Sequence, residues 1–573
     1  MTVIATAGHV DHGKSTLVQQ LTGTDPDRWK EEKARGLTID LGFASVKLPS
    51  GRSISFIDVP GHIKFLRNML SGVGGIDGCI FVVSAVEGWK PQSEEHLHIL
   101  ELLGIKQGII AITKADLVDD DLLELAKMET EDRVAGTFLA DAPIIGTSAE
   151  TGAGFAELKT ALDDLIPDDT KTDQRRPRLW IDRSFSPAGA GTVVTGTLTG
   201  GYLTADDHLL VVPSNKSARI RSMQNHSRTQ NTVAPGNRVA INLSGIDHHE
   251  LSRGDCLVSA DTWHFSNKID AEIRVLENLN HEVDRRGAYF VYVGSAELSA
   301  KVQILGGEPL EPGSTGHIRL YLNRNVPTQP GDRYILRESG RNETVGGGQF
   351  VDVDPILPTT KAKPDFSVDR LLAERGWVEA DHLSRITGRS IEPAIGRWVV
   401  HPEVRTRFEA ELRQSIIDAG DLGLDIASLT EQQRALVELT EEMVVTGTVV
   451  TIGQPTSNMA DHPWLAVLRS AGFSPPSAEG VDKAELRLLV QQKLIIERDG
   501  IFFACSSVAD AAEMLAVGFA SNPKGMTVSE IRDLWSTSRK YALALLAEMD
   551  ATGITRRREN IRIPGPRLPK KVD

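Results

Sequence analysis

Cysteine is almost missing from this chain: Cys79, Cys256 and Cys505 are three among 573 residues, far apart and in no metal-ligand spacing. That excludes a disulfide scaffold and a structural zinc, and is the pattern of a reduced, cytoplasmic protein. Long apolar runs are missing as well. None reaches the ~18 residues of a membrane span, and the start MTVIATAGHV lacks the charged and apolar regions of a signal peptide, so no membrane partner is expected. Positive charge is also short, with 63 Lys/Arg against 78 Asp/Glu and a net charge of −15. Taken whole, that balance argues against a nucleic-acid partner. Its distribution argues the other way: Lys524 to Asp573 holds 11 Lys/Arg and 6 Asp/Glu, so this tail is +5 and the remainder −20. A basic module on an acidic body is the footprint of one local nucleic-acid contact.

What is present suits large cores: 40% hydrophobic and 25% charged residues, in a length that calls for about four units. Residues 1–172 alternate apolar strands (ISFIDV, CIFVVSAV, GIIAIT, APIIGTSA) with helical stretches, the rhythm of βαβ units around a mostly parallel sheet. The polar stretch PDDTKTDQRRPR reads as a linker. From 173 to 260 and from 261 to 360 short strands separated by Gly-rich turns predict two small β-barrels. After Pro364 the composition turns helical. LIIERDGIFF from Leu494 and ITRRRENIRI from Ile554 are hairpins 60 positions apart, each after a helical stretch. That is the outline of winged helices, expected as a tandem α+β region over 366–573 with its last unit at 523–566. VVTGTVV, Val444–Val450, reads as the wing of an earlier copy.

GHVDHGKS, Gly8 to Ser15, follows a strand and opens a helix, the P-loop pattern in the context it requires. Gly8 and Gly13 let the backbone curl through His9, Val10, Asp11 and His12 so that amides face phosphate oxygens. Lys14 supplies charge for the β- and γ-phosphates, the Ser15 hydroxyl suits Mg²⁺, and Thr16 continues the site into the helix. In DVPGH, Asp58 ends a strand where it can hold Mg²⁺ through water, and Gly61 after Pro60 can offer its amide to a γ-phosphate. In TKAD, Thr113 and Lys114 lead to Asp116, whose carboxylate accepts two N–H bonds from the guanine edge; adenine offers it no amino donor there. Ser148 and Ala149 lie where amides reach the guanine O6. All four elements sit at C-terminal strand edges, where open α/β sheets bind ligands. The nucleotide expected is GTP, with Mg²⁺.

With these motifs in place, the chain resembles the translational GTPases related to elongation factor Tu. The resemblance implies that RGLTID (Arg35–Asp40) is a switch whose Thr38 ligates Mg²⁺ when the γ-phosphate is present. It also implies that His62 positions the attacking water in a GTPase activity stimulated by the ribosome. FSPAGAGTVVTGTLTGG (Phe185–Gly201) resembles the barrel that docks the aminoacyl end of tRNA, and PGDRYILR with ETVGGG resembles the second barrel. Thr113 departs from the usual Asn of the guanine motif, which is expected to weaken a loop-bracing hydrogen bond.

Within that group the chain is most similar to the selenocysteine-specific elongation factors, through EEKARGLTIDLGFA (Glu31–Ala44), IDR (Ile181–Arg183) with PGNRVAIN, and SRKYALALL. That likeness places an acid and two cations, Asp182, Arg183 and Arg238, around a selenocysteine carried as an anion. A selenol is more acidic than a thiol of pKa about 8.5, and guanidiniums then select it by charge-assisted bonds. The plainer reading pairs Asp182 with Arg183 at a barrel rim and leaves Arg238 on a surface turn. The likeness further implies that the last winged helix grips a hairpin in selenoprotein mRNA through Arg539, Lys540, Arg556, Arg557, Arg558 and Arg562. Arg539 and Lys540 oppose the dipole of the helix they open, a local rule broken for function. The partners implied are selenocysteinyl-tRNA, the hairpin and the ribosome, met by a monomer at UGA codons. Three rivals stay open: another tRNA-delivering translational GTPase, a GTP-regulated winged-helix DNA-binding protein, and the GTPase subunit of a sulfate-activating enzyme.

Overall fold

A computed structural model describes residues 2–26, 41–59, 76–165, 174–189, 191–225, 228–420, 423–453 and 459–569. They divide into two compact units, Met1–Pro393 and Ala394–Asp573. No helix among the described residues is long and apolar enough to cross a membrane.

The first unit opens with a sheet of six strands: β1 (Thr2–Ala7), β2 (Gly42–Lys47), β3 (Ser53–Asp58), β4 (Gly78–Ser84), β5 (Gly108–Thr113) and β6 (Ile144–Gly146). Their order is β2-β3-β1-β4-β5-β6, parallel except for β2 against β3. Among the described residues, four helices cover it: α1 (Lys14–Thr22), α2 (Pro91–Leu102), α3 (Asp120–Val134) and α4 (Phe155–Leu165). Every residue of GCIFVVS and GIIAIT is buried because both faces are covered. On one face Ile80 and Val82 pack with Leu17, Leu21 and Leu158; on the other Phe81 and Val83 pack with Leu97, Leu100 and Ala126.

The first barrel is built from β7 (Arg178–Trp180), β8 (Arg183–Phe185), β9 (Thr192–Thr199), β10 (Leu203–Thr204), β11 (His208–Val212), β12 (Lys216–Asn225), β13 (Arg228–Gln230), β14 (Thr232–Val233), β15 (Arg238–Ser244) and β16 (Cys256–Ser259). The ring β11-β16-β7-β9-β15-β12 closes because β12 also pairs with β11. Strand β8 continues along the edge of β9 that β7 begins, with Arg183 opposite Thr195. The second barrel closes as β17 (Ser266–Val275), β20 (Thr315–Val326), β19 (Ala296–Ile304), β18 (Tyr289–Val293), β21 (Arg333–Glu338) and β22 (Glu343–Asp352). The glycines of ETVGGG are steric here: a Cβ on Gly346, Gly347 or Gly348 would stand 2.4, 2.4 or 2.3 Å from a neighbouring strand's carbonyl oxygen.

Beyond the barrels, α5 (Val368–Arg375), β23 (Trp377–Glu379) and α6 (Ala380–Thr387) belong to the first compact unit, which ends at Pro393. Charge holds them there. Arg370 pairs with Asp352 at 3.1 Å, His382 Nε2 lies 3.2 Å from Asp354, and Arg176 donates to the Arg385 carbonyl at 3.0 Å.

The second unit contains β24 (Trp398–Val400), α7 (Pro402–Asp418), β25 (Leu424–Asp425), α8 (Glu431–Leu439), β26 (Met443–Thr446), β27 (Val449–Ile452), α9 (Pro463–Ala471), α10 (Lys483–Gln491), β28 (Ile495–Arg498), β29 (Ile501–Ala504), α11 (Cys505–Ser521), β30 (Met526–Thr527), α12 (Val528–Leu534), α13 (Arg539–Thr552), β31 (Thr555–Arg558) and β32 (Ile561–Pro564). Among the described residues a helix runs three times into a two-stranded wing: α8 into β26–β27, α10 into β28–β29, α13 into β31–β32. The 60-residue spacing in the sequence is the offset between β28 and β31, and VVTGTVV is a wing. The β28–β29 turn has Asp499 and Gly500 at φ 52° and 74°, the two positive values that a tight hairpin of favoured twist demands.

Candidate functional site

The phosphate loop is shaped by three left-handed residues, Gly8 at φ 130°, Asp11 at 60° and Gly13 at 87°. Gly13 caps α1 without a side chain, and the first turn of that helix holds no acid, so its amides are left to face an anion. Lys14, 5% exposed, folds its ammonium onto the carbonyls of Gly8 (3.1 Å) and His9 (2.7 Å). At the end of β3 the buried Asp58 carboxylate takes the Thr6 hydroxyl at 2.7 Å and the Ser15 hydroxyl at 2.6 Å. Converging oxygen donors of this kind fit a hard cation such as Mg²⁺. Thr38, Pro60, Gly61 and His62 lie outside the described residues.

Beside α1 a cavity of about 480 Å³ is lined by Thr16, Thr113, Lys114, Asp116, Leu117, Ala149 and Phe155 among others. It has the apolar walls and, in Asp116, the exposed carboxylate that a guanine base calls for. Lys114, at φ 59°, turns its ammonium to Glu87 at 3.0 Å. The Ser148 amide is used by the Ala153 carbonyl at 3.1 Å, so of the two residues named for the base it is Ala149 that lines the cavity. Thr113 corrects the sequence expectation. Its hydroxyl donates to the His12 carbonyl at 2.6 Å, so the brace between guanine motif and phosphate loop is present with a threonine in place of an asparagine.

Two supporting residues lie outside every sequence motif. The Gly8 amide donates to His96 Nδ1 at 3.0 Å and the Val10 amide to Gln92 Oε1 at 3.1 Å, both on α2. Burial, with Lys14 nearby, depresses the His96 pKa from 6.5 to about 3; burial likewise takes His12 to about 4. His96 is therefore neutral and keeps the lone pair that Gly8 needs. Below pH 6.5 the unfolded chain takes up protons that the folded one refuses. The stability of this domain is therefore expected to fall as pH drops from about 6.5 and to level off near 3. His96→Ala leaves a buried amide unpaired, a loss of ~1–3 kcal/mol. It should speed nucleotide release about tenfold or more by stopped-flow fluorescence, and an unchanged rate would remove His96 from the site.

In the first barrel, Arg238 and not Arg183 pairs with Asp182. The Arg238 Nη2 lies 2.9 Å from both carboxylate oxygens, its Nε is 3.2 Å from one, and Thr195 donates its hydroxyl to the same carboxylate. Arg183 instead donates to the Leu41 carbonyl at 2.6 Å. The three residues are thus gathered at one barrel edge beside the first domain.

In the last winged helix, α13 opens at Arg539 after the N-cap Ser538, and Ala542, Leu545, Leu546 and Met549 form its buried face. Arg539, Lys540, Arg556, Arg557 and Arg558 are exposed. Arg562 departs from the expectation: it is 7% exposed, on the central strand of β30-β32-β31, and its Nε donates to Asp550 of α13 at 2.8 Å. It holds the wing to the helix.

The family model described as the elongation factor Tu GTP binding domain matches residues 1–168, and that described as elongation factor SelB, winged helix, matches 519–563. A selenocysteine-specific elongation factor of Desulfomicrobium baculatum is 32% identical over 97% of this chain and 98% of its own. That of Escherichia coli strain K12 is 28% identical over 97% and 98%. Among solved structures, a bacterial selenocysteine-specific elongation factor EF-Sec superposes with a TM-score of 0.76 at 26% identity, over 98% of this chain and 100% of that one.

Proposed function

The chain belongs to the selenocysteine-specific elongation factors, and from that membership we propose how its residues divide the work. The amides of Asp11 to Ser15 and the Lys14 ammonium hold the β- and γ-phosphates, the Gly8 and Val10 amides being taken by His96 and Gln92, and Asp116 with Ala149 reads guanine. The Ser15 hydroxyl, Asp58 through water and Thr38 hold Mg²⁺, which when bound neutralises charge on the transferring phosphoryl. Gly61 senses the γ-phosphate and His62 orients the attacking water once the ribosome orders the site. Little covalent chemistry falls to the protein: it positions the groups and stabilises their charge.

Asp182 holds Arg238 in place, and Arg238 with Arg183 receives the selenolate of selenocysteinyl-tRNA. The exposed cations Arg539, Lys540, Arg556, Arg557 and Arg558 grip the phosphates of an mRNA hairpin. Because UGA normally ends translation, delivery must be confined to messages carrying that signal. A factor tethered to the hairpin reaches its ribosome at high effective concentration. We place this work in the cytoplasm, done by a monomer. The observation that carries the reading is the pair of guanidiniums at the barrel edge next to the nucleotide domain, Arg238 held by Asp182 and Arg183 bonded to the Leu41 carbonyl. Full-length likeness to selenocysteine-specific factors favours it over an initiator-tRNA carrier, a DNA-binding regulator or a sulfate-activating subunit.

Filter binding tests both ends. With GTP, the protein should bind selenocysteinyl-tRNA at least about tenfold tighter than the seryl form of the same tRNA, and Arg238→Ala should erase the difference. Equal binding of the two forms by the unaltered protein would remove the pocket. Arg557→Ala should weaken hairpin RNA and lower the salt slope by about one, with melting unchanged. Arg562→Ala should instead lower the melting temperature of the C-terminal unit.

A further inference from the structure

Phe43, second residue of β2, stands against both guanidiniums of the barrel edge. The Arg238 Cζ lies 3.5 Å from its ring centroid and the Arg183 Cζ 5.2 Å. With the Arg183 bond to the Leu41 carbonyl, the head of β2 contacts both cations that the proposed pocket would present to an anionic amino acid. Between Leu41 and Phe43, Gly42 reaches the nucleotide side. The β2–β3 register sets Gly42 opposite Asp58, whose carboxylate lies 2.6 Å from the Ser15 hydroxyl. There is no slack between: a Cβ on Gly42 would come within 2.6 Å of Pro26 and 3.2 Å of the Asp58 Cβ. A displacement at Asp58 is therefore passed to Leu41 and Phe43, and Leu41 follows Thr38 by only three positions.

We propose that Phe43 is a positioning residue that couples the nucleotide to the amino-acid pocket, its ring competing with the selenolate for Arg238 and Arg183 until the head of β2 shifts. The face of an aromatic ring carries partial negative charge and attracts guanidinium as an anion does, though more weakly. The ring thus acts as a removable counter-charge: while it lies over Arg238, an incoming anion must displace it. This rests on the reading of Asp182, Arg183 and Arg238 as the selenocysteine pocket.

The test uses the full chain, selenocysteinyl-tRNA and the seryl form of the same tRNA, each titrated with a non-hydrolysable GTP analogue and with GDP. Phe43→Leu keeps most of the volume and removes the π face; Phe43→Tyr keeps the face. In Phe43→Leu, selenocysteinyl-tRNA binding in the presence of GDP should tighten about tenfold, the gain expected when a desolvated cation–π contact no longer competes. The ratio of affinities between the two nucleotides should shrink accordingly, while seryl-tRNA binding and nucleotide affinity stay as in the unaltered protein. Phe43→Tyr should restore the ratio. An unchanged ratio in Phe43→Leu, or equal changes for the two tRNAs, overturns the coupling while leaving the pocket intact. Failure of the unaltered protein to distinguish the two tRNAs overturns the pocket itself, and the coupling with it.

Discussion

Asp116→Asn should exchange the base that the protein prefers. The carboxylate of Asp116 borders the cavity beside α1 and can accept two N–H bonds, from N1 and from the exocyclic amine of guanine. An asparagine offers one acceptor and one donor, so its NH₂ would face the guanine amine, donor against donor. Losing two charge-assisted bonds and leaving donors unmatched is expected to weaken GTP about 10³-fold, or ~4 kcal/mol. Xanthine carries a carbonyl where guanine carries the amine, and that oxygen accepts what the asparagine donates. Xanthosine triphosphate should therefore bind the variant within about tenfold of GTP on the unaltered protein. Fluorescent-nucleotide titration decides it. A variant that still prefers GTP would mean that another group reads the base.

Gly8→Ala should cost far more than a methyl group added at Gly23. At φ 130° the backbone of Gly8 lies where side chains are strained, and a Cβ there would stand 2.1 Å from the Val82 carbonyl oxygen. Relief requires moving β4, every residue of which is buried, or moving the loop and breaking the Gly8 bond to His96. Strain and overpacking together are expected to cost ~3 kcal/mol or more, with nucleotide binding lost. Gly23→Ala is the control. Gly23 also has a positive φ, 71°, but nothing lies within 4 Å of its added Cβ. Its cost should stay near ~1 kcal/mol, with binding intact. Denaturant unfolding and nucleotide titration on both variants distinguish the cases, and equal losses would show that the φ value alone, rather than the contact with Val82, sets the penalty.

The phosphate loop is legible in the sequence because its function is written in backbone conformation: glycine, lysine and serine at fixed spacing leave few other uses. The parallel sheet is legible from strands apolar on both faces, and the wings from repeating hairpins. What escapes such reading is side-chain geometry set by register and packing. Gln92 and His96 sit in PQSEEHLHIL, where they look like polar members of an ordinary amphipathic helix, and nothing local tells that one turn faces Gly8. The pairing of Asp182 with Arg238 depends on which strands lie side by side in a closed barrel. Arg562 reads as one more cation in a basic hairpin until β30 covers its strand. Thr113 is the converse case: its departure from the motif suggests a lost bond, yet a hydroxyl at the end of β5 makes the brace to the His12 carbonyl.

Helix α2 joins two distant parts of the first unit. Its His96 and Gln92 grasp the loop over the nucleotide, while Glu95 is held by Arg337 at 2.9 Å and the Leu102 carbonyl accepts from Arg333 at 3.2 Å, both on the second barrel. Neighbouring residues of one twelve-residue rod are thus bolted to partners in two separate domains. The remote barrel thus braces the same rod that supports the Gly8 and Val10 amides, and whatever loosens Arg337 or Arg333 also loosens a footing of the phosphate loop.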